Sequence, residues 1–226
     1  MNPVVVLGKG PSAMELKKTD TYDVAVLNNA FWLCEEPTFV FFNDLEPMEL
    51  TTDEDFSKVT QMIVPTYMHS QFNPRFDGVN QHFHFSRLFE FFPKRFDHVE
   101  FHLYELHDGD SLKPEEVERT GGVKTPSLDE WPGSTGVTAI NVLLKYFGYK
   151  EFILSGIDPS GGYHPVFENK KFDSFKNPAF SGMGTAAQPA GYDIDYQQMI
   201  RLATKYEATI THINDLTGDR RQELGL

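Results

Sequence analysis

The chain has 226 residues, a net charge of −13 at pH 7, 40% apolar and 14% aromatic residues including 20 Phe, and one cysteine, Cys34. This composition excludes a disordered chain and any internal disulfide, and it argues against a non-specific grip on nucleic acid, which needs a positive surface. With no run of about 18 apolar residues there is no membrane span to expect, and a lone cysteine without a basic, apolar leader predicts a single cytoplasmic domain over residues 1–226.

Pro3 to Leu7 is a short apolar run, read as a buried strand of a parallel sheet. Gly8, Lys9, Gly10, Pro11 and Ser12 come next, then a helical pattern from Ala13 to Lys18. Ser12 and Glu15 have capping-box spacing, which makes Ser12 the expected N-cap. A strand, a glycine turn and a helix start together form an anion site. The stretch lacks the third glycine of a dinucleotide fingerprint and the Gly-Lys-Ser/Thr ending of a P-loop, so an ordinary tight turn fits it as well.

Tyr22 to Leu27 and Thr38 to Phe42 read as the next two strands, ending in Asn28-Asn29 and Asn43-Asp44. Ligands of open α/β sheets bind beyond the carboxyl ends of strands, so Gly8, Asn28 and Asn43 are expected to line one edge. Gln61 to Val64 is a fourth strand closed by Pro65. Residues 66–97 hold Phe72, Phe76, Phe83, Phe85, Phe89, Phe91, Phe92 and Phe96, with His69, His82 and His84, and form a packed aromatic excursion. No cysteine or carboxylate partner accompanies the His-x-His, so these histidines read as core or surface residues and no metal is expected. Lys9, Lys17 and Lys18 cluster near the first turn, and Lys170, Lys171 and Lys176 read as solvated loop residues.

Val99 to Tyr104 is a fifth strand, and residues 105–133 a long polar loop of the kind that covers active sites. Val137 to Phe147 is apolar nearly all round and predicts a buried helix, capped by Ser134 or Thr135, with Gly136 in its first turn, and ended by Gly148. Its N-terminus is a second candidate anion site. Glu151 to Leu154 is a strand leading into Ser155-Gly156-Ile157-Asp158, where Asp158 is placed to hold ribose hydroxyls. Residues 159–190, with Tyr163 and His164, are lid-like in composition. Asp193 to Tyr206 reads as an amphipathic helix with Ile194, Met199, Ile200 and Leu202 on one side. Ala208 to Ile213 is the last strand, and the tail frays or docks as a short helix. Strands alternating with helices predict an α/β, mainly parallel, Rossmann-like sheet with lid-like insertions near 105–133 and 159–190.

Several of these stretches resemble one family in its own order, over roughly half of the chain. Val4 to Ser12, Tyr22-Asp23-Val24 through Asn28, Phe41-Phe42-Asn43, Ser134-Thr135-Gly136-Val137, Leu144 to Glu151, and Leu154-Ser155-Gly156-Ile157-Asp158 are similar to the bacterial sialyltransferases of glycosyltransferase family forty-two. The resemblance implies a metal-independent, GT-A-like glycosyltransferase that takes a nucleotide sugar, a CMP- or UDP-sugar, as donor, and it implies a possible homo-oligomer. It assigns Asn28, Asn43, Thr135, Gly156 and Asp158 to the nucleotide, with Tyr163 matching one of two tyrosines on the leaving phosphate and Ser160 replacing the other. Lys9 stands where the family's turn has Asn. Gln188 occupies the place of the family's catalytic histidine, with Asp193 matching the Asp five residues on. Since an amide cannot abstract a proton, His164, Asp44 and Asp193 are the candidate bases.

The chain lacks a basic amphipathic C-terminal extension, so the expected acceptor is a hydroxyl on a glycan, a metabolite or a hydroxymethylated base, as in DNA modification, with nucleic acid entering only as acceptor. Two other readings remain open at this point. Pterin diphosphokinase-like pyrophosphokinases look similar in the glycine turn and the Ser-Gly-Ile-Asp stretch, and such an enzyme would use ATP with Mg²⁺ held by Asp44 and Asp158. A nucleotide-binding module that has lost its base is the third.

Overall fold

The computed structural model describes residues 1–17, 19–70, 81–104, 123–124, 134–159, 162–168 and 189–226. Ten strands are found among them: β1 (Val4–Leu7), β2 (Asp23–Leu27), β3 (Phe39–Phe41), β4 (Gln61–Pro65), β5 (Tyr67–Ser70), β6 (Gln81–His84), β7 (Glu100–Tyr104), β8 (Val123–Lys124), β9 (Glu151–Ser155) and β10 (Thr209–His212). The helices are α1 (Glu46–Glu49), α2 (Asp53–Phe56), α3 (Leu88–Phe91), α4 (Thr135–Val142), α5 (Pro165–Glu168), α6 (Pro189–Lys205) and α7 (Gly218–Leu224), with a 3-10 turn at Asn28–Leu33.

Eight strands form one sheet in the order β10-β9-β1-β2-β3-β4-β7-β8, and every pairing in it is parallel. The reason lies in the strands' composition. Alternate residues enter opposite cores: Val5 and Leu7 join one cluster while Val4 and Val6 join the other. The same alternation holds for Val24 and Val26 against Ala25 and Leu27. Strands buried on both faces need apolar side chains at every position, and parallel connections supply the helices that cover them. The sheet is Rossmann-like, with its change of direction between β1 and β9.

One face carries α4 and α6. Ser134 caps α4 by accepting the amide of Val137, and the helix continues as a π turn at Leu143–Phe147 until Gly148, at φ 76°, stops it. Gly136 lets α6 approach: a Cβ there would lie 2.6 Å from the Met199 methyl. The other face holds the 3-10 turn, α1 to α3, and a phenylalanine cluster in which Phe56, Phe96 and Phe101 meet edge to face. The antiparallel β5–β6 hairpin belongs to this excursion, with His69 opposite His82 and Tyr67 opposite His84. Phe72 and Phe76 lie outside the described residues, as does most of 105–133.

Five sequence expectations are corrected. Residues 13–17 form no helix; Leu16 makes a single bridge to Cys34, and Leu16 N–H donates to the Leu33 carbonyl. A lone helix of that length is marginal, and bonds to distant backbone replace it. The consequence is that Ser12 caps nothing. The strand predicted to stop before Pro65 includes it, because β3 ends at the Phe41–Ile63 pair and no neighbour requires the proline's missing N–H. The 189–205 helix begins at Pro189, four residues before the predicted start. Its buried stripe is Asp195, Met199, Leu202 and Ala203, spaced i, i+4, i+7, i+8, while Ile194 is 58% and Ile200 36% exposed. Among the described residues no helix is long and apolar enough to cross a membrane.

Candidate functional site

The glycines after β1 are close to another chain segment, and that segment is the protein's own. A Cβ on Gly8 would lie 2.3 Å from the Gly156 carbonyl oxygen, one on Gly10 2.1 Å from the Asp158 carboxylate, and one on Gly156 2.4 Å from the Gly8 carbonyl oxygen. The turn's amides are engaged accordingly. Gly8 donates to the Ser155 carbonyl, Gly10 to the Gly156 carbonyl and Ala13 to the Gly10 carbonyl. Ser12 N–H donates to the Asp158 carboxylate at 3.1 Å, and Met14 N–H to the Ser155 hydroxyl at 3.1 Å. An oxyanion cradle needs amides that point at a ligand; here they point at the end of β9 and the Gly156–Asp158 turn. The amides of Gly8, Gly10, Ser12 and Met14 thus join this turn to β9 in a backbone seam, and the helix expected behind it is absent over residues 13–17.

His212, at the end of β10, completes that seam. Its Nε2 lies 3.2 Å from the Ser12 hydroxyl and 3.3 Å from Asp158, and its Nδ1 accepts the amide of Asn214. Serine, histidine and aspartate here do not form a nucleophilic triad, because both contacts fall on one nitrogen, whereas a triad uses the two nitrogens separately. The Ser12 hydroxyl itself accepts the Gly156 amide.

A different character prevails beyond β2 and β3. Asn28 takes the left-handed conformation at φ 51°, and its amide donates to the Thr135 hydroxyl across 3.4 Å, while its Oδ1 is buried without a hydrogen-bond partner. Asn43 accepts the Tyr104 hydroxyl. Burial holds that phenol well above its usual range, so it remains a donor. Asp44 reaches His69 at 3.0 Å, and both are partly exposed. The backbone fixes this pair: His69 N–H donates to the Asn43 carbonyl and Leu45 N–H to the His69 carbonyl.

Lys9 joins the same group from β1. Desolvation lowers its ammonium to about 8, against the attraction of Asp44. Its Nζ stands 5.7 Å over the Tyr163 ring, within cation–π range. The segment bearing Tyr163 is tied down by the amide of His164, which donates to the Lys9 carbonyl at 2.7 Å. Gly162, at φ 99°, passes over Pro11. The His164 Nδ1 accepts the Val166 amide and so caps α5.

At the start of α4, the amides of Thr135 and Gly136 belong to the first turn, which has no intrahelical acceptor for them. Asp195 of α6 stands against the Ser134 hydroxyl; burial raises its carboxyl and that hydrogen bond opposes the rise. Asp193, by contrast, is exposed on the same helix. Gln188 and Ser160 lie outside the described residues, as do Lys18, Lys170, Lys171 and Lys176.

The structure thus brings Lys9, Asn43, Asp44 and Tyr163 together with His69, sets Asn28 against Thr135, and leaves Gly8, Gly10, Ser12, Gly156 and Asp158 in the seam. Asp44 and Asp158 come after strands three places apart, roughly 14 Å at about 4.8 Å per strand, and face different partners, His69 and His212. His69, Asp195, Tyr104 and His212 are additions that local spacing did not signal. A cavity of about 320 Å³ lies elsewhere, between residues 15–17, the 3-10 turn and the end of α2, lined by Trp32, Cys34 and Lys58 among others. Burial pushes the Cys34 thiol up to about 11, which removes it as a nucleophile at neutral pH.

No family model, curated protein or solved structure matches the chain.

Proposed function

We propose that the protein is a nucleotide-sugar-dependent glycosyltransferase that moves a sugar from a CMP- or UDP-sugar to a hydroxyl acceptor. The observation that carries this reading is the placement of Lys9: a half-buried cation just after β1, its Nζ 5.7 Å over the Tyr163 ring and within the electrostatic reach of Asp44. A leaving phosphate gathers negative charge as the glycosidic bond to it breaks, and a cation held in a poorly hydrated position stabilises that charge more than one in water does. The first-turn amides of α4 add partial positive charge near Asn28. Asn28 and Asn43 carry amides suited to a ribose or a base. The seam at β1 and β9 fixes the sheet under this group and takes no part in the chemistry.

The test is nucleotide release from CMP-, UDP- and GDP-sugars, with and without EDTA, by the wild type and by Lys9→Met. Release that survives EDTA and drops at least tenfold in the variant is the expected result. Activity only with ATP and Mg²⁺ would replace this reading with the pyrophosphokinase. Thermal stabilisation by a nucleotide without any turnover would replace it with the binding module.

A further inference from the structure

The cavity between residues 15–17, the 3-10 turn and the end of α2 takes no part in the chemistry proposed above. At about 320 Å³ it stands at the lower end of the range of small-molecule sites, roughly 300–1,000 Å³, and has room for a small metabolite. Its place in the fold separates it from the strand ends. Pro37 and Val59, which line it, stand just before β3 and β4, whereas Asn43 and Asp44 follow β3. The cavity therefore lies toward the amino ends of these strands.

Interiors pack to close contact, so a volume of this size persists only where other bonds hold its walls. Leu16 N–H donates to the Leu33 carbonyl at 2.7 Å, and Glu35 N–H to the Leu16 carbonyl at 3.2 Å. Phe31 packs against Phe56 with ring centroids 5.7 Å apart, and Trp32 stacks on Phe167 at 6.3 Å. A reciprocal capping box between Thr52 and Asp55 fixes the start of α2.

The walls divide by chemistry. Leu16, Phe31, Trp32 and Val59 supply apolar and aromatic surface. Lys17 and Glu35 neutralise one another at 3.3 Å, and the Asp55 carboxylate accepts the amide of Thr52. Glu15 and Lys58 also line the cavity; both are exposed, and neither forms an ion pair among the described residues. The Lys58 ammonium is near enough to Cys34, in the cavity wall, to oppose the burial that raises that thiol. One carboxylate and one ammonium thus stay uncompensated beside an aromatic wall.

We propose that this cavity binds a small zwitterion with an apolar body, of the class of the aromatic α-amino acids. The body packs against Phe31 and Trp32, the ammonium faces Glu15 and the carboxylate faces Lys58. A ligand with a single charge leaves one of these two groups unmatched, and one without an apolar body leaves the aromatic wall in contact with water. This inference stands apart from the transferase reading and survives its failure.

L-Phenylalanine is the probe, because it brings no indole of its own. Titration calorimetry of the full chain should show saturable binding with a dissociation constant of about 1 mM or below. The chain has two tryptophans, so Trp131→Phe leaves Trp32 as the reporter, and its fluorescence should follow the same curve. 3-Phenylpropionate, which lacks the ammonium, and phenethylamine, which lacks the carboxylate, should bind about three- to tenfold more weakly. Glu15→Gln and Lys58→Met should weaken L-phenylalanine by a similar factor; both change exposed side chains, so their thermal midpoints should match the wild type. No saturation in the wild type by about 10 mM overturns the site. Binding to which Trp32 does not respond, unchanged affinity in both variants, or a single-charge analogue that binds as tightly as L-phenylalanine overturns it as well.

Discussion

At the carboxyl ends of β9 and β10, the donors that could serve a ligand are engaged by the chain itself: the amides of Gly8, Gly10, Ser12 and Met14 go to β9 and the turn that ends at Asp158, and His212 fills the space beside them. At the ends of β2 and β3, the groups are charged, partly exposed and joined to one another in a pair, Asp44 with His69, next to a desolvated lysine. The two regions occupy the same edge of the same sheet, and both are rich in the residue types that mark nucleotide sites. Strand-end position brings such residues to one place; whether their hydrogen-bonding capacity is still available decides what they do there.

The largest expected effect comes from wedging the closed region apart. Gly156→Ala forces a Cβ into the Gly8 carbonyl at φ 68°, so loss of at least about 3 kcal/mol is expected in denaturant unfolding. A near-neutral result would mean that β1 and β9 are loosely joined. Next comes Asp158→Asn, which removes a charged acceptor from Ser12 and His212. A destabilisation of about 1–3 kcal/mol with unchanged nucleotide affinity is expected. Unchanged stability with tenfold weaker nucleotide binding would reverse the roles of the two regions.

Lys9→Met acts in the opposite sense. In the folded state Lys9 releases its proton near 8, whereas unfolded it holds it to about 10.5. Between those values the unfolded state binds more protons, so the wild type gains stability as pH rises through that window. The variant should lack this gain, be more stable than the wild type at neutral pH, and lose turnover. Parallel unfolding curves at pH 7.5 and pH 10 for both proteins check it. The smallest effect is expected from Asn28→Gly, which keeps the left-handed backbone and deletes only the amide. Unfolding free energy should move by no more than about 0.5 kcal/mol, while nucleotide affinity falls measurably by calorimetry.

Much of the fold was legible because its strands are buried on both faces. Val4 to Leu7 and Glu151 to Leu154 read as strands of a parallel sheet, and Gly148 marked one end of the helix by local chemistry, whereas its cap stayed open between Ser134 and Thr135 until packing set it on Ser134. Residues 13–17 misled because what holds them is remote: Met14 and Ser12 bond to residues 141 and 146 positions away. The site was half legible for the same reason. Asp44 and Asn43 announced themselves at a strand end. His69 acquires its meaning only from Asp44, 25 residues earlier, through a hairpin that turns it back onto β3. Asp193 and Asp195 shared one helix, and only packing against α4 separated the buried carboxylate from the solvated one.

The order of the sheet also bears on how the chain is made. β1 lies between β2, close behind it in sequence, and β9, whose neighbouring Asp158 is 146 residues from Ser12. During synthesis β1 therefore has one neighbour long before it has the other, and the Gly8–Gly10 ribbon waits as an unpaired edge. Such late, non-local pairing slows folding and exposes an adhesive strand to other nascent chains. The closed seam is a late stitch of the fold, and the strand ends beside it depend on its being drawn tight.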